Sequence, residues 1–204
     1  MIRRICARWK RVLATAPTTT RGPRSVRFAR RSLPFAIACA LALLDPRAGS
    51  AVAGEMLSAG AGFPAWKLQD HAGAMRSSEE LAGKRYLVWF YPKAMTPGCT
   101  AEGRGLRDEY AEFEKIGVAV FGVSADDPAA NAAFVEAESF PFPLLSDPEL
   151  ELASKVGADG LLGYTRRVSY VVGADGKVVK AYGDVDPAEH AKQVLGDLMP
   201  AESP

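Results

Sequence analysis

The chain has 204 residues, 48% of them hydrophobic, with 25 Lys and Arg, 24 Asp and Glu, and three cysteines, a length that suits one compact domain plus an additional segment. The charge is uneven. Residues 1–53 hold eleven Lys and Arg against the single acid Asp45, leaving 54–204 with 14 basic and 23 acidic side chains and a net charge of −9, which argues against nucleic-acid binding through a basic surface.

Residues 1–53 read as a leader and 54–204 as the folded domain. The first thirty residues are basic and free of acids, and an apolar run of twelve follows at 33–44. Twelve falls short of the roughly 20 residues that span a membrane but fits the centre of a signal peptide. Arg30-Arg31 resembles a twin-arginine export signal, with Ala29 where Ser or Thr is usual. Ala51-Val52-Ala53 supplies a small-residue cleavage site. Cleavage before Gly54, export and a periplasmic location are therefore expected. An organelle transit peptide, an uncleaved membrane anchor and a start codon assigned too early are the alternatives. Cys6 and Cys39 lie in the leader, so Cys99 stands alone once it is removed. That excludes an intramolecular disulfide and multi-cysteine metal sites.

From residue 60 onward short apolar runs alternate with helical stretches, the pattern of an α/β fold. Residues 86–91, YLVWFY, form a strand buried on both faces. A helix beginning near Cys99 carries Leu106, Tyr110, Phe113 and Ile116 at spacings of three and four, and Gly117 ends it. Residues 118–123, VAVFGV, supply the second strand of a βαβ unit. Asp127-Pro128 starts the next helix, and 140–145 is extended because each residue before a proline is pushed from helical geometry. Residues 167–172 and 177–182 pair as a hairpin across Gly173-Ala174-Asp175-Gly176. A last helix, 187–198, turns Ala191, Val194 and Leu195 inward. No repeat and no long linker divides 60–200.

Cys99 follows a buried strand and a loop with two prolines, Pro92 and Pro97, and it opens an amphipathic helix. The unpaired N–H groups and positive dipole end of a helix start favour a thiolate. Thr96, three residues earlier, can turn its hydroxyl toward the sulfur or toward an oxygen of a bound substrate, and the two prolines stiffen the loop. A lone cysteine is also commonly a small buried hydrophobe. Position and loop chemistry leave both readings open.

The stretch YPKAMTPGCTAE, residues 91–102, resembles the P-x3-T-x2-C active-site loop of the peroxiredoxins, and its form is similar to the bacterioferritin comigratory protein branch. Leu106-Arg107-Asp108, Phe121–Ser124, Phe142–Asp147 and Arg167-Val168-Ser169-Tyr170 follow in that family's order, so the likeness spans roughly 60–199. It implies a thioredoxin-like fold, a central mixed β-sheet flanked by helices, and a thiol peroxidase that reduces hydrogen peroxide and organic hydroperoxides. By the same resemblance Cys99 is the peroxidatic thiol, Thr96 the hydroxyl that orients peroxide, Pro92 the ring that shields the pocket and Arg167 the guanidinium that holds thiolate and peroxide oxygens. Arg166 competes for the last role, but successive strand residues face opposite sides, and the family's pattern begins at Arg167.

Many members place a resolving cysteine five residues after the peroxidatic one, where this chain has Arg104, or on the helix at 128–138, which has none. A one-cysteine enzyme regenerated by an external thiol (thioredoxin, glutaredoxin or glutathione) is the expectation, acting as monomer or homodimer without cofactor, metal or nucleic acid. A thioredoxin-fold binding or chaperone module that has lost turnover is the alternative. Elsewhere, His71 and His190 read as surface or loop residues, and Arg104 as a solvated side chain. Glu102, Asp108, Glu109, Glu112 and Glu114 read as a solvated helix face, Glu102 being the one placed to buttress the loop. Asp126 and Asp127 read as helix caps.

Overall fold

A computed structural model describes residues 54–199; the leader at 1–53 lies outside the described residues. Among the described residues, seven strands form one sheet in the order β2-β1-β5-β4-β3-β6-β7. They are β1 (Lys67–Asp70), β2 (Met75–Ser77), β3 (Arg85–Phe90), β4 (Val118–Ser124), β5 (Leu144–Ser146), β6 (Val168–Val172) and β7 (Val178–Tyr182). The apolar runs of β3 and β4 pair in parallel at the centre, Leu87 opposite Val120 and Trp89 opposite Gly122. β5 extends them in parallel, while β6 joins the other edge of β3 antiparallel. The sheet is therefore mixed, and β3 is flanked on both sides, as its unbroken hydrophobic sequence requires.

Alternation along β3 divides the core between two faces. Leu87, Trp89 and Tyr91 pack with Leu106, Phe113, Phe134, Phe140, Phe142, Val194 and Leu195 on one side. Tyr86, Val88 and Phe90 pack with Trp66, Phe121, Leu152 and Tyr170 on the other. Each fully buried aromatic or leucine here contributes roughly 1.5–3 kcal/mol.

The helices are α1 (Pro97–Asp108), α2 (Tyr110–Lys115), α3 (Pro128–Glu138), α4 (Glu151–Lys155) and α5 (His190–Leu198). The single helix expected between Cys99 and Gly117 is two: the chain breaks at Glu109, whose φ of −95° and ψ of 4° lie outside helical values. The break lets α1 follow the sheet while Phe113 still reaches the core. The last helix begins at His190 rather than near 187, because Asp186 first makes a local turn that accepts the Ala188 N–H at 2.9 Å. Asp127 caps α3 as expected, accepting from Ala130 N at 2.8 Å. Asp126 does not cap; it accepts the Ala94 N–H at 2.8 Å and so ties the end of β4 to the loop after β3.

α1 lies close on the sheet because residue 103 is glycine. A Cβ there would meet Phe140 Cζ at 2.5 Å and Trp89 Cη2 at 3.1 Å. The face of α1 turned inward carries Cys99, Glu102, Gly103 and Leu106, a helical spacing of three and four. This stripe aims the thiol at the start of β6.

Candidate active site

β3 ends at Phe90, and Tyr91 to Thr96 form the loop that carries the chain to α1. Four tethers hold it. Tyr91 N–H donates to Val123 O at 3.0 Å, Thr165 Oγ1 donates to Tyr91 O at 2.6 Å, and Tyr91 Oη donates to Asn131 Oδ1 at 2.7 Å. Asp126 supplies the fourth through Ala94. Burial pushes the Tyr91 phenol far above its usual range, so it stays a neutral donor. Met95 takes a positive φ of 62°, a strained choice for an unbranched side chain at the loop tip.

Thr96 is the N-cap residue of α1, with Pro97 at N1, Gly98 at N2 and Cys99 at N3. Its hydroxyl does not cap the helix. It donates back to Lys93 O at 2.9 Å, leaving its lone pairs available and the first-turn N–H groups uncapped by any side chain. The structure does not close a bond from Thr96 to the sulfur. Pro92 is half-buried in the same loop.

Cys99 is wholly buried. Arg167, 68 residues later and directly before β6, donates from Nη2 to Cys99 Sγ at 3.4 Å and from Nη1 to Glu102 Oε2. Arg166 turns elsewhere, donating from Nη1 to Gly157 O at 3.0 Å. Of the two arginines, 167 is thus the one brought to the thiol. Burial works against its charge, but Glu102 and Cys99 more than offset this and hold the guanidinium firmly protonated. Gly98 makes the approach possible, because a Cβ at that position would stand 2.9 Å from Nη2.

Two readings from the sequence are corrected. Glu102 is not on the solvated face; it has no exposed surface, because it shares the inward stripe with Cys99. Burial pushes its carboxyl up to about 7, with Trp89 and Arg167 opposing the rise. The indole N–H lies toward it without closing a hydrogen bond. His190 is not a surface residue either. It is fully buried at the start of α5, with Nε2 2.9 Å from Ser169 Oγ and its ring edge-on to Tyr182 at 5.3 Å. Burial holds it down to about 4, hence neutral, with Gln193 opposing and the Arg167 charge adding. The Cys99–Glu102–Leu106 spacing signals the first of these residues. Nothing local in the sequence signals the second. His71, by contrast, is a loop residue whose Nδ1 accepts the Leu144 N–H at 3.3 Å.

Arg104 is partly exposed and ion-paired to Glu138 of α3 at 2.6 Å, and Arg107 donates to Glu138 O at 2.8 Å. The pairs join α1 to α3, the two helices where a second cysteine would otherwise be sought. Among the described residues no group of three or more His, Cys, Asp or Glu side chains could hold a metal ion.

A thiol at a helix start, faced by a guanidinium and seated beside the central strands of a mixed α/β sheet, defines a thiol-dependent oxidoreductase. Residues 59–181 match the AhpC/TSA family. Peroxiredoxin Bcp of Escherichia coli (strain K12) is 39% identical over 149 residues, 70% of this chain and 96% of that protein. A putative peroxiredoxin of Mycobacterium tuberculosis (strain H37Rv) is 38% identical over 149 residues, with 70% and 95% covered. Among solved structures, peroxidoxin BcpB from Mycobacterium tuberculosis superposes with a TM-score of 0.66 at 33% identity, covering 71% of this chain and 97% of its own. A Xanthomonas campestris bacterioferritin comigratory protein, studied for alkyl peroxide reduction, gives 0.62 at 30% identity over 71% and 96%. The chain belongs to the AhpC/TSA family. It is a peroxiredoxin on a thioredoxin-like fold, a thiol peroxidase that takes a peroxide as substrate and a thiol as reductant.

Proposed function

We propose that Cys99 is the peroxidatic thiol of a one-cysteine peroxidase acting on hydrogen peroxide and alkyl hydroperoxides, with Arg167, Thr96 and Pro92 serving it. The observation that carries this is the 3.4 Å contact from Arg167 Nη2 to Cys99 Sγ at an uncapped helix start. The thiolate sulfur attacks the terminal peroxide oxygen, the O–O bond breaks, and the departing oxygen takes a proton and leaves as water or alcohol. Charge builds on the oxygens as the bond breaks, and Arg167 with the first-turn N–H groups stabilises it. Thr96 offers lone pairs that orient the peroxide proton, and Pro92 walls the loop side. The sulfur ends as a sulfenic acid.

Regeneration falls to an external thiol, because Arg104 and the 128–138 helix offer no second cysteine. One reductant thiol condenses with the sulfenic acid, releasing water. A second attacks the mixed disulfide, restores Cys99 and carries away the reductant's disulfide. Thioredoxin is the first candidate, glutaredoxin and glutathione the others, and the enzyme works as a monomer or homodimer. Residues 1–53 are read as a cleaved export leader and 54–204 as the mature, periplasmic enzyme. The test is hydrogen peroxide consumption by the chain and its Cys99→Ser variant with dithiothreitol, thioredoxin and glutathione systems in turn. Equal loss of peroxide in both proteins would sink the assignment. N-terminal sequencing of the natural protein tests the leader.

A further inference from the structure

Buried His190 has no task in the proposed reaction. His190 stands with Nε2 3.9 Å from Glu102 Oε1, and both side chains are wholly inaccessible. Its Nδ1, that Glu102 oxygen and the Trp89 indole nitrogen are each buried with no hydrogen-bond partner; one further side-chain atom, Trp66 Nε1, shares that condition among the described residues. Folded interiors pair nearly all such atoms, so the unpartnered Glu102 oxygen, with the Trp89 indole unpaired beside it and His190 Nε2 at 3.9 Å, marks a place where hydrogen bonding is held in reserve. We propose that His190 is a positioning residue for the peroxide reaction, acting through Glu102 to decide how much of the Arg167 charge is left for the Cys99 thiolate. The inference rests on the assignment of Cys99 as the reacting thiol.

Arg167 is one cation between two acidic groups. An ionised Glu102 shares the guanidinium with the thiolate, whereas a protonated Glu102 leaves the full charge facing the sulfur. With its Nε2–H donated to Ser169 Oγ at 2.9 Å, the imidazole places positive partial charge 3.9 Å from Glu102 Oε1 and so favours the carboxylate without bonding to it. Only a proton moves, between carboxyl and solvent.

The surroundings are α1 through Cys99 and Glu102, the start of β6 through Arg167 and Ser169, α5 through Gln193, β3 through Trp89 and β7 through Tyr182. Arg167 is the permanent charge among them. Burial keeps the imidazole neutral and pushes Glu102 up to about 7, so the carboxyl is the group that changes charge near neutrality.

The test follows the Glu102 carboxyl by carbon-13 NMR across pH in the full chain, assigned with Glu102→Gln, beside stopped-flow rates of Cys99 oxidation by hydrogen peroxide. His190→Phe keeps a ring against Tyr182 but no polar atom. It should raise the Glu102 titration by about one pH unit, tenfold in proton affinity, and move the inflection in the oxidation profile with it. His190→Asn, which keeps a donor and an acceptor, should restore most of the wild-type profile and serves if the Phe variant does not fold. Glu102→Gln should remove the inflection. A Glu102 titration unmoved by either substitution overturns the proposal, as does a rate scaled equally at every pH, the mark of a merely structural role. Peroxide consumption unaffected by Cys99→Ser would fail the thiol assignment instead, and the NMR titration keeps the two failures apart.

Discussion

Substituting Gly98 separates catalysis from stability. The new methyl group of Gly98→Ala would lie 2.9 Å from Arg167 Nη2, 3.6 Å from its Cζ and 4.0 Å from Pro187 Cγ. The only close neighbour is thus the tip of a flexible side chain, which must withdraw by about 0.5 Å to reach an ordinary contact. Backbone at residue 98 is helical with no positive φ, so alanine fits, and replacing a helical glycine favours the fold by about 0.5–1 kcal/mol. The Nη2–Sγ contact, already 3.4 Å long, is the one that breaks. Losing one charge-assisted donor at a reacting centre costs about 1.4–2.8 kcal/mol, ten- to a hundredfold in rate. Stopped-flow fluorescence with hydrogen peroxide should show that loss, while urea unfolding shows stability unchanged or raised. A wild-type oxidation rate in Gly98→Ala, or a large loss of stability, would refute this account of the glycine.

Arg167→Ala should slow Cys99 oxidation by about a hundredfold or more, whereas Arg166→Ala, which forfeits only the bond to Gly157 O, should leave the rate alone; the reverse result in the same assay would exchange their roles. Glu102 holds its proton to about pH 7 in the fold but only to about 4.3 when unfolded, so its contribution to stability falls as pH rises from 4.5 to 7. His190, neutral in the fold down to about 4, contributes the opposite slope between pH 4 and 6.5. The contributions of these two groups should nearly cancel over pH 4.5–6.5. Glu102→Gln should reveal a rise with pH there and His190→Phe a fall, each of order 2–3 kcal/mol by urea titration, and parallel curves for all three would contradict the assignment. Asp147 accepts the N–H groups of Glu151, Leu152 and Ala153 at 2.8–3.1 Å, so Asp147→Ala should cost about 1–3 kcal/mol in chemical denaturation without slowing Cys99 oxidation.

The central strands were legible because burial on both faces writes itself as unbroken apolar sequence, as in YLVWFY and VAVFGV. The edge hairpin of β1 and β2 was not, since Lys67, Gln69 and Met75 face solvent and leave little alternation to read. The break at Glu109 escaped because Leu106, Tyr110 and Phe113 keep helical spacing through a single non-helical residue. Within the site, Cys99, Thr96 and Pro92 share one loop and could be found together, and Arg167 came from the resemblance at 167–170. Glu102 was hidden among acids on one helix, although its place three residues after Cys99 put it on the inward stripe. His190 has no such local cue; its partners Ser169 and Glu102 are 21 and 88 residues away in the chain, and only the packing of α5 against α1 brings them together.

The complete burial of Cys99 also sets a kinetic order on turnover. A peroxide little larger than water needs only a small widening of the loop to reach the sulfur. A protein thiol needs the first turn of α1 to open, and that turn belongs to a helix clasped to α3 through Arg104, Arg107 and Glu138. On the proposed assignment, oxidation should follow peroxide concentration, and regeneration by a protein thiol should be limited by how often that turn opens. Raising the concentration of a protein reductant should speed turnover only to a ceiling, and that ceiling belongs to the helix, not to the reductant.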